Sequence, residues 1–167
     1  MSAPASRRIG IALALVLALL VQMVFADAVG IRGAHPDFVL LTVLLGALFC
    51  DANQGAQLGF WGGLAYASIV SPPHGGFGSL IISRTLAGFG VGWLEERIFR
   101  DHPVLAVALT AGGTALTEAI FFVFAPQPHA LHWARAAATT TLYNAALAGP
   151  LYLLMRRLLG RLRDRTA

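Results

Sequence analysis

The sequence predicts an all-α integral membrane protein with six transmembrane helices. Three observations carry this expectation. Of the 167 residues, 57% are hydrophobic and only 12% charged, against about 25% charged in an ordinary soluble domain; mean hydropathy is +0.70. The apolar residues fall into six runs separated by Pro, Gly and charged punctuation. The basic residues, twelve Arg and no Lys, gather at one alternate set of run ends. At about 20 residues per crossing, six spans consume most of the chain, so it reads as one membrane domain over 1–167 with no room for a folded extramembrane unit.

The first run, about 9–29, follows Arg7 and Arg8. Its basic start and the Ala26-Asp27-Ala28 that follows imitate a cleaved leader, but the run is long enough to span and everything downstream is equally apolar, so it is read as the first helix. The second, 36–50, opens at His35-Pro36-Asp37, with Pro at a helix start where its missing N–H costs nothing. It is short for a span, which implies polar-tolerant ends or shielding by neighbours. The third, 55–70, stops at the Ser71-Pro72-Pro73-His74-Gly75-Gly76 loop. The fourth, 77–94, ends in Glu95, Glu96, Arg97, Arg100 and Asp101. Pro103 starts the fifth, 103–124, and the sixth, 133–154, leads into an Arg-rich tail.

Orientation follows from the arginines. With both termini in the cytoplasm, the inner segments hold Arg7, Arg8, Arg97, Arg100, Arg156, Arg157, Arg161, Arg163 and Arg165, and the outer ones only Arg32 and Arg135. That is the positive-inside bias of a multi-pass protein. A net charge of +4 would suggest nucleic acid in a soluble chain; here no nucleic-acid binding is expected, and the tail Arg156, Arg157, Arg161, Arg163 and Arg165 suits anionic lipid headgroups.

No catalytic set emerges. His129-x-x-His132 offers two imidazoles without a third ligand. Gly88-Phe89-Gly90-Val91-Gly92 is not a dinucleotide fingerprint and follows no strand. Ser79 and Ser83 lack a nucleophile elbow. Neither an enzyme nor a cofactor or metal site is expected. Cys50, the single cysteine, excludes an internal disulfide. The informative residues are packing and intramembrane polar ones. Gly55, Gly59 and Gly63 recur every four residues on one stripe of the third helix, and Gly88 and Gly92 do so on the fourth, which lets backbones approach closely. Arg84 and Glu118 match in depth and oppose in sign, so a mutual ion pair or a wet cavity is expected. Asn144, mid-span, needs a hydrogen-bond partner. Pro150 removes the bond to the Ala146 carbonyl and should kink its helix.

His35-Pro36-Asp37-Phe38-Val39-Leu40-Leu41, Gly59-Phe60-x-x-Gly63-Leu64, the Pro/Gly loop leading to Gly78, and Tyr143-Asn144 followed by Pro150-Leu151-Tyr152-Leu153-Leu154-Met155-Arg156-Arg157 resemble the rod shape-determining protein MreD family over most of the chain. The family-motif positions are thus Pro36, Asp37, Gly59, Gly63, Gly78, Asn144 and Pro150. Members often carry an acidic residue four positions after the glycine matching Gly63, where this chain has Ala67. The resemblance implies a non-catalytic scaffold of the bacterial cell-elongation complex in the inner membrane. It implies that such a protein binds MreC and is linked through it to MreB and to RodA with its partner transpeptidase. It also implies a fold similar to the S-component of energy-coupling-factor vitamin transporters, which makes a vitamin-binding S-component the alternative function. Ala14-x-x-x-Ala18 resembles the docking stripe of those proteins.

Overall fold

Between Phe38 and Ala47 the only polar side chain is Thr42, so a helix there has no face suited to water and must be covered on every side. The computed structural model describes residues 5–25, 28–30, 35–70, 76–95, 97 and 103–164, with 5–8 and 159–164 described as backbone alone. It contains α1 (Ala5–Phe25), α2 (Phe38–Ala47), α3 (Ala52–Val70), α4 (Phe77–Glu95), α5 (Pro103–Phe124) and α6 (Ala130–Asp164), and no strand among the described residues. Arg32, His74, Glu96, Arg100, Asp101, Arg165 and most of the Ser71–Gly76 loop lie outside the described residues, as do the side chains of Arg7, Arg8, Arg161 and Arg163.

α2 occupies the centre and touches all five other helices. Leu41 and Leu45 meet Ile11 of α1, Ala106 of α5 and Ala148, Tyr152 and Met155 of α6. Leu40, Leu44 and Ala47 meet Ala87 and Val91 of α4, and Val39 and Val43 meet Leu15 of α1. Every residue from Val39 to Ala47 is buried. The helix is shorter than the run 36–50 read as the second span, and it has the shielding by neighbours that its shortness implied. Ten residues rising ~1.5 Å each make a helix about half as long as the ~30 Å hydrocarbon layer is thick. α2 is an internal helix wrapped by its neighbours. Among the described residues two helices, α4 and α5, are long and apolar enough to cross a membrane by themselves.

The tightest contact is α3 on α4, and the glycines create it. A Cβ at Gly55 would stand 2.3 Å from the Gly88 carbonyl oxygen, and one at Gly59 2.2 Å from that of Arg84. One at Gly63 would stand 2.8 Å from Ile81 Cα, and one at Gly92 2.9 Å from the Asp51 carbonyl oxygen. Backbone meets backbone along the whole seam, where no side chain can yield. Gly78, by contrast, faces open space.

Element ends differ from expectation where side chains cap or where helix continues. α3 begins at Ala52 because the Asp51 carboxylate accepts from the Gln54 N–H at 2.8 Å, an N-cap that satisfies a first-turn donor. α6 runs unbroken through Pro150 to Asp164. Arg156 and Arg157 therefore stand exposed on a continuing helix rather than in a loose tail. Ala18 is buried in the bundle and Ala14 half-buried.

Candidate functional site

A helix start leaves backbone N–H groups without intrahelical partners. At the buried start of α2 these donors cannot turn to water, so side chains must take them. Asp37 is the N-cap, and its Oδ1 accepts from the Leu40 N–H at 2.8 Å. The Asp37 N–H donates to Asn144 Oδ1 of α6 at 3.1 Å. The Phe38 N–H donates to Gln22 Oε1 of α1 at 2.7 Å, while Gln22 Nε2 donates back to the Pro36 carbonyl at 3.3 Å. Asn144 Nδ2 in turn donates to Thr114 Oγ1 of α5 at 3.2 Å. Thr140 of α6 donates to the His35 carbonyl at 3.2 Å, and Tyr143 to that of Val29 at 3.0 Å.

Charge is settled at the same point. Asp37 Oδ2 accepts from Arg84 Nη2 of α4 in a buried ion pair, Arg84 being only 3% exposed. The guanidinium lies over the Tyr66 ring of α3, 4.2 Å from its centroid, a cation–π contact. Side chains of α1, α4 and α6 thus bond directly to the four residues from His35 to Phe38, while α3 and α5 reach them through Arg84 and Asn144. The expected partner of Arg84 was Glu118; the structure pairs it with Asp37. The physical reason is the shortness of α2. A ten-residue central helix starts inside the bundle, so its N-cap Asp37 stands beside Arg84.

Glu118, half-buried on α5, remains within electrostatic reach of both Asp37 and Arg84. Trp133 of α6 lies beside it and stacks on Phe122 with ring centroids 4.3 Å apart. Arg84 Nε is buried without a partner, as is Thr110 Oγ1.

Of the sequence-derived positions, Pro36, Asp37, Arg84 and Asn144 meet in this junction. Gly59 touches it through the Arg84 backbone, and Gly63, Gly55, Gly88 and Gly92 hold the adjoining seam. Gly78 and Pro150 lie apart from it. Gln22, Tyr66, Thr114 and Thr140 were missed. Two had a readable signal. Gln22 is the only polar residue between Ile9 and Phe25, and Thr110, Thr114 and Thr117 form a polar stripe on a helix that is apolar apart from Glu118; all three threonines are buried. Among the described residues no three His, Cys, Asp or Glu side chains converge as metal ligands.

The junction predicts the effect of Asn144→Leu. That variant leaves the Asp37 N–H and the Thr114 hydroxyl without Asn144 in a fully buried site. Loss of about 1–3 kcal/mol is expected for the stranded donor, read as a lowered thermal midpoint of the purified protein; an unchanged midpoint would remove Asn144 from the account.

The geometry is that of a structural keystone, a point where one buried ion pair and a set of backbone hydrogen bonds fix the register of six helices. No family model, curated protein or solved structure matches this chain.

Proposed function

We propose that the chain is a multi-pass protein of the bacterial inner membrane that acts as a non-catalytic scaffold of the cell-elongation complex, binding MreC and, through it, MreB and RodA with its transpeptidase. One observation carries the membrane half of this reading: polarity is distributed inside out. Asp37, Arg84, Glu95, Asn144 and the α5 threonines are buried. The exposed surface carries Leu13, Val16, Leu17 and Leu20 on α1, Phe60 and Trp61 on α3, Leu86 and Phe89 on α4, Leu116 and Val123 on α5, and Leu142, Leu153 and Leu154 on α6. In water such continuous greasy flanks would drive association; in hydrocarbon they are the required exterior. The arginine distribution supports both termini on the cytoplasmic side. The scaffold half rests on the MreD-like motifs, which include the junction residues Pro36, Asp37 and Asn144, and on a construction that devotes its buried polar groups to holding helices together.

Affinity purification from the native membrane tests the scaffold. Recovery of MreC with elongation enzymes is the expected result, and recovery of transporter ATPase subunits instead would replace it with the vitamin-uptake reading. A reporter fused after Ala167 should be active only in the cytoplasm. Periplasmic activity would overturn the six-span topology.

A further inference from the structure

The α4 side chains turned away from the bundle form one stripe. Ile82, Leu86, Phe89 and Trp93 follow one another at helical spacing and all are exposed, while Ala87, Gly88, Val91 and Gly92 are buried. From Ile82 to Trp93 the stripe rises about 16 Å at ~1.5 Å per residue, close to half the ~30 Å hydrocarbon layer. It starts near the level of Arg84 and ends under Arg97, whose guanidinium lies over the Trp93 ring, 3.7 Å from its centroid. Arg97 itself is exposed. α6 repeats the construction, with Leu142, Ala146, Pro150 and Leu153 exposed along one stripe that leads to an exposed Arg157.

Charge is sorted at this end of the bundle. Asp51 is occupied as the N-cap of α3 and Glu95 is buried, so among the described residues the exposed charges here are Arg97, Arg156 and Arg157. An apolar strip as long as one leaflet is deep, closed by an indole and a guanidinium, complements a phospholipid, with the acyl chain along the strip and the phosphate on the cation. A zwitterionic headgroup brings an ammonium that this basic end repels, which selects a lipid of net negative charge.

We propose that Arg97 and Trp93 hold the phosphate and glycerol region of an anionic phospholipid of the cytoplasmic leaflet, of the phosphatidylglycerol type, with an acyl chain along Phe89, Leu86 and Ile82. The site rests on the membrane reading, with this end of the bundle in the cytoplasmic leaflet, and not on the scaffold assignment.

Trp93 reports on the site directly. With Trp61→Phe and Trp133→Phe it becomes the sole tryptophan, and the purified full chain is placed in phosphatidylcholine bilayers into which brominated phosphatidylglycerol or brominated phosphatidylcholine is titrated. Bromine quenches an indole only at close approach. Brominated phosphatidylglycerol is expected to quench with an about fivefold preference, the scale set by one basic residue at an anionic surface. Arg97→Gln should abolish the preference and Arg97→Lys should keep most of it. Arg157→Gln, on another helix, should leave it unchanged, as should inorganic phosphate added at constant ionic strength. Equal quenching by the two lipids, a preference undiminished in Arg97→Gln or lost in Arg157→Gln, or displacement by inorganic phosphate would overturn the site and leave the membrane reading standing. Quenching by neither lipid would overturn the membrane reading and the site with it. Should the single-tryptophan chain fail to fold, native mass spectrometry of the chain extracted from mixed bilayers compares retained phosphatidylglycerol with and without Arg97→Gln. Equal retention there would count against the site as well.

Discussion

Asp37→Leu is expected to abolish folding rather than weaken it. The substitution removes the N-cap of α2, worth about 1 kcal/mol. It also strands the Arg84 guanidinium, and breaking one side of a buried ion pair costs about 3–5 kcal/mol. The sum approaches the total stability of a typical domain, about 5–15 kcal/mol. It falls, moreover, on the central helix that every other helix touches. The expected result is loss of monodisperse protein after extraction. A milder set separates the pair from the cap. Asn caps about as well as Asp, so Asp37→Asn keeps the bond to the Leu40 N–H and loses only the charge. Arg84→Met removes the opposite charge. Each alone should lower the thermal midpoint strongly, and the two together should lower it by less than the sum, because the double variant leaves no uncompensated charge. Strict additivity would show that the pair contributes nothing as a pair.

Gly59→Leu is the second large effect. Even a Cβ at this position would stand 2.2 Å from the Arg84 carbonyl oxygen and 2.8 Å from Thr85 Cα, so α3 and α4 must separate. Separation moves Arg84 itself, and the damage should therefore reach the Asp37 junction as well as the seam. Gly90 is the internal control, since nothing lies within 4 Å of a Cβ there. Gly90→Ala should be neutral or stabilising by up to about 1 kcal/mol, the helix propensity difference between the two residues. Equal thermal midpoints for the Gly59→Leu variant and the parent would contradict the seam.

The two predictions mark how far the sequence could be read. The glycine spacing was legible because i, i+4 repetition on a helix is a purely local pattern; its partner was not, and is α4 of the same chain. Arg84 and Asn144 were legible as groups needing company, because a charge or an amide in an apolar run announces its own cost. Their partners were not. Asp37 read as the polar end of a short helix, and Arg84 was matched in depth and sign to Glu118, as a pair or across a wet cavity. The extension of α6 to Asp164 was likewise hidden, since Pro150 and the arginines after it read locally as an ending.

By itself the sequence determined what is local and additive: an all-helical chain, the places where most helices begin and end to within a few residues, the small-residue stripe, and which buried groups would demand a partner. Only the tertiary structure decided which partner each received and that α2 stands at the centre. The reason is physical. Helix formation and the cost of burying a charge depend on neighbours in sequence, whereas the depth of Asp37 depends on how five other helices close around ten residues, and no residue within α2 encodes that position alone.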